Sequence, residues 1–131
     1  MIILKYKFLA LDFDGIFTNN KVYCDALGNE FVRCCKYDSL ALSIIKNYIH
    51  EQKINMDIFI ISSEHNKIVT HRANKLNLKV YQGIDNKFAF LKDIVFKEYQ
   101  SDILNHLIYL GNDINDLDCI KASSYSACPS D

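Results

Sequence analysis

Along the chain, short apolar runs alternate with longer stretches of helical periodicity. Phe8–Leu11 is a continuous apolar run, the pattern of a strand covered on both faces. It ends abruptly in Asp12-Phe13-Asp14-Gly15. Residues 21–24 and 30–34 are strand-like and flank a loop containing Gly28, which predicts a β-hairpin (about 19–35) springing from that strand end as a flap. From Ser39 the pattern turns helical, with Leu40, Ile44 and Tyr48 beside Ile45 and Ile49 on one face and Asp38 or Ser39 as N-cap. Residues 56–61 form a second apolar run ending at Ser62-Ser63-Glu64, followed by a helix over 66–76 and a short strand over 78–81. A helix over 87–99 places Phe88, Leu91, Val95 and Tyr99 at core spacing. A strand over 107–110 then delivers Gly111-Asn112-Asp113, and a helix over 114–122 and a strand over 125–127 follow. Strands alternating with helices predict an α/β fold, a Rossmann-like parallel sheet flanked by helices, whose ligand crevice lies beyond the strands' carboxyl ends.

Composition narrows the picture. At 131 residues, residues 1–131 read as a single domain. The net charge of −1 comes without a basic stripe, which argues against nucleic acid as a partner. Ile2-Ile3-Leu4 is broken by Lys5 and Lys7, so it reads as neither signal peptide nor membrane span. Five cysteines with Cys34 and Cys35 adjacent form no disulfide framework or zinc-ligand spacing. They read as free thiols of a cytoplasmic protein and as small buried hydrophobes. All four glycines fall at expected loops.

The chemistry gathers at the predicted strand ends. Asp12 and Asp14 flank one residue, so extended geometry leans both side chains the same way. Two like charges there want a cation between them, and magnesium suits hard oxygen donors and phosphate. A carboxylate so held is also a competent nucleophile toward phosphorus. The plainer reading is an acidic strand-to-turn junction. Taken singly, Ser62 reads as a helix N-cap, Asn112-Asp113 as capping, and Asp116 with Asp118 as a solvated face. Lys87 alone is an exposed first-turn lysine, but a cation is misplaced at a helix N-terminus, which argues for a nearby anion.

Four motifs in order, Asp12-Phe13-Asp14-Gly15-Ile16-Phe17-Thr18, Ser62, Lys87 and Gly111-Asn112-Asp113-Ile114-Asn115-Asp116, resemble those of the haloacid dehalogenase (HAD) superfamily. The likeness is to its small, capless sugar-acid phosphatases, acting on 3-deoxy-octulosonate (KDO) 8-phosphate or nonulosonate (sialic-acid-type) 9-phosphates. The resemblance implies Mg²⁺ as cofactor, with Asp12, Asp14, Asn112 and Asp113 as its ligands, Asp14 through its backbone carbonyl. It implies Asp12 as nucleophile, Asp14 as general acid and base, and Ser62 and Lys87 as phosphoryl-binding groups. Glu64, Arg72 and Asp38 are the candidate substrate contacts. Relatives commonly carry Asp where Asn112 stands, and an amide oxygen coordinates without adding charge. Ser63-Glu64 stand where the octulosonate phosphatases have Gly-Arg, which is more like the nonulosonate type. The resemblance also implies a homotetramer closed by the hairpin, with Tyr23, Phe31 and Val32 at its surface. Similar domains are attached to acylneuraminate cytidylyltransferases. Asn112, and a chain stopping at Ser130-Asp131 near where relatives continue, leave a weakly active oligomerisation module as the alternative.

Overall fold

The computed structural model describes residues 5–99 and 103–130, with the side chains of 94–96, 98–99 and 103–104 left aside. Ile2, Ile3 and Leu4, and the side chains of Val95 and Tyr99, therefore lie outside the described residues. The strands are β1 (Phe8–Leu11), β2 (Thr18–Cys24), β3 (Glu30–Cys34), β4 (Asp57–Ile61), β5 (Lys79–Tyr81), β6 (Leu107–Leu110) and β7 (Tyr125–Ala127). The helices are α1 (Tyr37–Glu51), α2 (Ile68–Lys75), α3 (Lys87–Tyr99) and α4 (Leu117–Ala122). The parallel sheet has the order β5-β4-β1-β6-β7. β1 is central, and the direction of winding changes on either side of it, so its carboxyl end is the switch-point crevice.

The three inner strands β1, β4 and β6 are largely apolar, because both of their faces pack against side chains of the core. Phe8 and Ala10 of β1, with Phe59, Ile61, Leu107 and Tyr109, pack with Leu91 of α3 and Cys119 of α4. Leu11 and Ile60 point the other way, among Leu42 of α1 and Val69 and Ala73 of α2. This two-residue alternation decides the site. Asp12 continues the Phe8–Ala10 face and so meets α3, whose first residue is Lys87.

The hairpin is a separate antiparallel pair, Val22 facing Val32 and Tyr23 facing Phe31, with a register shift between Thr18 and Val22. Asn20, inside that shift, has φ +58°. Its loop is closed by Asp25, whose carboxylate accepts from the Leu27 and Asn29 amides at 2.9 Å each.

Several local expectations need correction. Helix α1 starts at Tyr37 with Lys36 as N-cap and no side-chain cap bond, so neither Asp38 nor Ser39 caps it. Leu40, Ile44 and Ile45 are exposed and only Leu42 of α1 is buried. The helix stands off the sheet, and Ile44, Ile45, Tyr48 and Ile49 border an apolar cavity of about 580 Å³ with Leu9 and Ile108. All five cysteines are free, but only Cys119 is buried; Cys24, Cys35 and Cys128 are exposed. The helix expected over 114–122 begins as a 3₁₀ turn, Ile114–Asp116, capped by Asp113.

Candidate active site

Extended backbone ends at Asp12. The amides of Ile16 and Phe17 both donate to the Phe13 carbonyl, at 3.3 and 2.8 Å, so the chain turns before Asp14. Asp12 and Asp14 are thus not neighbours on a strand face, as their spacing suggested, but border one cavity of about 400 Å³. Ser62, Glu64, Asp113 and Asn115 line it as well. Asp12 is buried, and Asp14 is half-buried with its Oδ1 accepting from the Thr18 hydroxyl at 3.4 Å.

Lys87 is the pivot. Its side chain is 1% exposed, and Nζ donates to Asp12 Oδ1 and Asp116 Oδ1, both at 2.7 Å. The anion that the helix-terminal cation demanded is present twice. Burial alone would lower the Lys87 pKa, but the Asp12 and Asp116 carboxylates outweigh it and hold the ammonium charged.

Asp116 is fully buried, which corrects its reading as part of a solvated face. The chain closes tightly after Gly111, where an added Cβ would lie 2.6 Å from the Asp116 carboxyl carbon. The Tyr109 hydroxyl donates to Asp116 Oδ1 at 2.6 Å, and the amides of Asn112 and Asp113 donate to Oδ2 at 3.1 and 3.3 Å. Burial pulls its pKa up, but the hydrogen bonds from Lys87 and Tyr109 overcome that and hold it below the usual carboxylate range. Asp12 goes the other way. Burial raises its carboxyl to about 6 despite the attraction of Lys87, and the Asp116 charge adds to the rise. Asp14 is also raised, by burial and then by the Glu64 carboxylate.

The Asp12 side fits a hard cation. Asn112 packs against Gly15, where a Cβ would fall 2.1 Å from its Nδ2 and where φ is +84°, so only glycine lets the amide this close. Asn112 Oδ1 is buried without a hydrogen-bond partner. Asn112 follows β6, whose Leu110 carbonyl accepts from the Asp12 amide at 2.9 Å, so adjacent strand ends deliver an orphaned oxygen and an under-neutralised carboxylate, donors that suit Mg²⁺. Among the described residues no group of three or more His, Cys, Asp or Glu is placed to hold a metal; the third donor here is an amide. Asp113 lines the cavity with its Oδ1 engaged by the Ile114 amide at 2.6 Å.

Ser62 is buried and its hydroxyl accepts from the Glu64 amide at 3.1 Å; it is not the N-cap of α2, which is Lys67. Glu64 Oε1 accepts from the His65 and Asn66 amides at 2.7 and 3.0 Å. Arg72 and Asp38 border other cavities. The Arg72 Nη2 donates to the Cys35 carbonyl at 2.7 Å, tying α2 to the end of the hairpin, and its guanidinium counters the upward push of burial on Asp38.

Tyr109 and Asp116 are the site-building residues that sequence reasoning did not select. A tyrosine in an otherwise aliphatic buried strand, with an Asp at turn spacing behind Gly111, was the available signal.

No family model matches the sequence. Solved structures do. A protein from Streptomyces avermitilis assigned to the HAD family of hydrolases is 32% identical, with TM-score 0.81, covering 95% of this chain and 67% of its own. The 3-deoxy-D-manno-octulosonate 8-phosphate phosphatase of Moraxella catarrhalis, in complex with magnesium, phosphate and KDO, is 25% identical, with TM-score 0.80, covering 95% and 68%. The cobalt-bound octulosonate 8-phosphate phosphatase of Haemophilus influenzae shares the fold at 19% identity and TM-score 0.79, over 98% and 71%. The chain thus spans about two thirds of the length of the proteins it matches. The comparisons lend no support to the oligomerisation-module alternative. Among the described residues, no helix is long and apolar enough to cross a membrane.

Proposed function

The chain belongs to the HAD family of hydrolases, and from that premise we propose that it is a Mg²⁺-dependent phosphatase of sugar-acid phosphates. The observation that carries the reading is the buried Lys87 shared between Asp12 and Asp116, with Asn112 Oδ1 buried and unpartnered at the end of the neighbouring strand β6. A bound Mg²⁺, held by Asp12, the Asp14 carbonyl and Asn112, with Asp113 in support, would neutralise charge on the phosphoryl oxygens.

The protein groups divide the remaining work. An Asp12 oxygen attacks phosphorus and the bond to the leaving oxygen breaks, giving an aspartyl-phosphate. Asp14, whose hold on a proton is strengthened by burial and by Glu64, gives its proton to that oxygen. Asp14 then takes a proton from water as the water attacks phosphorus, releasing inorganic phosphate and restoring Asp12. Lys87 and the Ser62 hydroxyl hold the phosphoryl oxygens.

KDO 8-phosphate is the leading substrate, supported by the Moraxella relative in complex with KDO and phosphate. A nonulosonate 9-phosphate is the second candidate, on the Ser63-Glu64 pair. The exposed Tyr23 and Phe31 of the hairpin, joined by Val22 where Val32 instead packs partly against the core, support a homotetramer assembled through that flap, which a light-scattering mass tests directly. The five free thiols fit a cytoplasmic setting.

The deciding experiment is phosphate release from both sugar-acid phosphates and an aryl phosphate, with Mg²⁺ or chelator, beside Asp12→Asn. Turnover should vanish with chelator and in the variant. Equal turnover by Asp12→Asn would end the nucleophile assignment.

A further inference from the structure

A second cavity, of about 230 Å³, lies between the hairpin flap and the body, on the far side of Asp14. It shares Asp14, Asn20 and Glu64 with the cavity that holds Asp12 and Ser62, so the two adjoin at Asp14. A leaving group that takes its proton from Asp14 has this second space within reach, since Asp14 lines both cavities. Its polar lining comes from both sides: Asn20, Lys21 and Glu30 from the flap, Glu64 and Asn66 from the loop after β4.

Glu30 is held in place. Its Oε2 accepts from Asn66 Nδ2 at 3.0 Å, bridging flap and body. Asn66 is itself fixed: its Oδ1 accepts from the Ile68 amide at 3.1 Å and its carbonyl from Gln82 Nε2 at 2.7 Å. The Glu30 carboxylate, carried by the hairpin, is therefore tied at the cavity wall to the loop after β4. With Glu64 and Asp14 it lines the same cavity, and Lys21 is the one cation in that lining.

Resting on the phosphatase reading of the same site, we propose that Glu30, latched by Asn66, and Glu64 select the leaving group by charge. The space takes carbons bearing neutral hydroxyls, whose protons the carboxylates accept, and excludes esters with a carboxylate close to the phosphate. A substrate that is an acid must carry its carboxylate several carbons from the ester oxygen, beyond the flap.

A matched pair tests this: glycerol 3-phosphate and 3-phosphoglycerate differ by a hydroxymethyl group against a carboxylate at the same position. With Mg²⁺, the protein should prefer the first by about tenfold or more in kcat/KM, equivalent to ~1.4 kcal/mol. Glu30→Gln should narrow the preference several-fold, Glu64→Gln should do the same, and Lys21→Gln should widen it. Opposite shifts from neutral substitutions on one wall separate charge selection from general damage. The preference should also shrink at high ionic strength. Equal use of the two esters by the unaltered protein, or a ratio unmoved in both glutamate variants, overturns the inference while p-nitrophenyl phosphate turnover keeps the phosphatase reading. Absence of turnover on all three esters overturns both.

Discussion

Replacing Asp12 by Asn should stabilise the metal-free protein, and only where Asp12 is ionised. Two carboxylates share one buried ammonium, so the triad of Asp12, Lys87 and Asp116 carries one negative charge more than it can neutralise. Asp116 is the better satisfied, and the excess falls on Asp12, raised from 3.8 to about 6. For a group whose folded pKa exceeds its unfolded value, stability is fully present below the unfolded pKa and lost as pH rises through the folded one. The shift corresponds to about 3 kcal/mol once pH is well above 6, and to about 1 kcal/mol at about pH 4.5. Asn keeps the shape and still accepts from Lys87, but carries no charge to desolvate. Urea unfolding in chelator should therefore show Asp12→Asn more stable than the parent by about 3 kcal/mol at about pH 7.5, shrinking to about 1 kcal/mol at about pH 4.5. The comparison within one pH cancels the titration of the other carboxylates. A variant less stable than the parent at about pH 7.5, or a difference independent of pH, refutes the assignment of the excess charge to Asp12.

Three further outcomes follow from the same geometry. Gly15→Ala places a Cβ 2.1 Å from Asn112 Nδ2 at a φ of +84°, and should cost about 2 kcal/mol or more in urea unfolding while abolishing phosphate release. Asp116→Asn leaves Lys87 paired one-to-one with Asp12, so it should cost only about 1–2 kcal/mol. It should also lower kcat about tenfold or more, because Lys87 loses its second anchor. Asn112→Asp adds a charged oxygen ligand, and a magnesium titration of activity should reach half-maximum at several-fold lower concentration.

The sequence was most legible where one principle acted alone. The apolar runs marked β1, β4 and β6 because burial on both faces leaves no alternative reading, and the misplaced cation at the start of α3 announced its anion. It was least legible where tertiary neighbours decide. The apolar face of α1 has helical spacing, but spacing says nothing about whether a partner covers it, and Leu40 and Ile44 are exposed. Asp116 is identical in type to Asp118 two residues later, and only the Tyr109 hydroxyl and the close approach allowed by Gly111 separate a buried anchor from a surface charge. Arg72 carries an anion-binding charge whose placement spacing alone does not give: its Nη2 donates to the Cys35 carbonyl, and it borders a different cavity from Asp12. The Ser62 hydroxyl, by contrast, lies where the end of β4 predicts.

The contrast between Asp12 and Asp116 explains how one residue type supplies both a scaffold and a reagent. Asp116 accepts from Lys87, from the Tyr109 hydroxyl and from two backbone amides, so its charge is fully matched and its lone pairs are committed. Such a carboxylate makes a poor nucleophile and a good anchor. Asp12 accepts a single Lys87 N–H and borders the open cavity, leaving electron density to offer to phosphorus or a cation. Moving a hydrogen bond from Asp116 to Asp12 would weaken both roles at once. Tyr109→Phe makes that separable: it removes a donor from Asp116 without touching Asp12 or the cavity. With Asp116 less satisfied, more of the Lys87 charge is drawn to it and the Asp12 pKa should rise further above 6. In chelator, the Asp12 carboxyl titration followed by NMR should then move to higher pH in Tyr109→Phe, while a midpoint that stays put would show that Asp116 and Asp12 do not compete for Lys87.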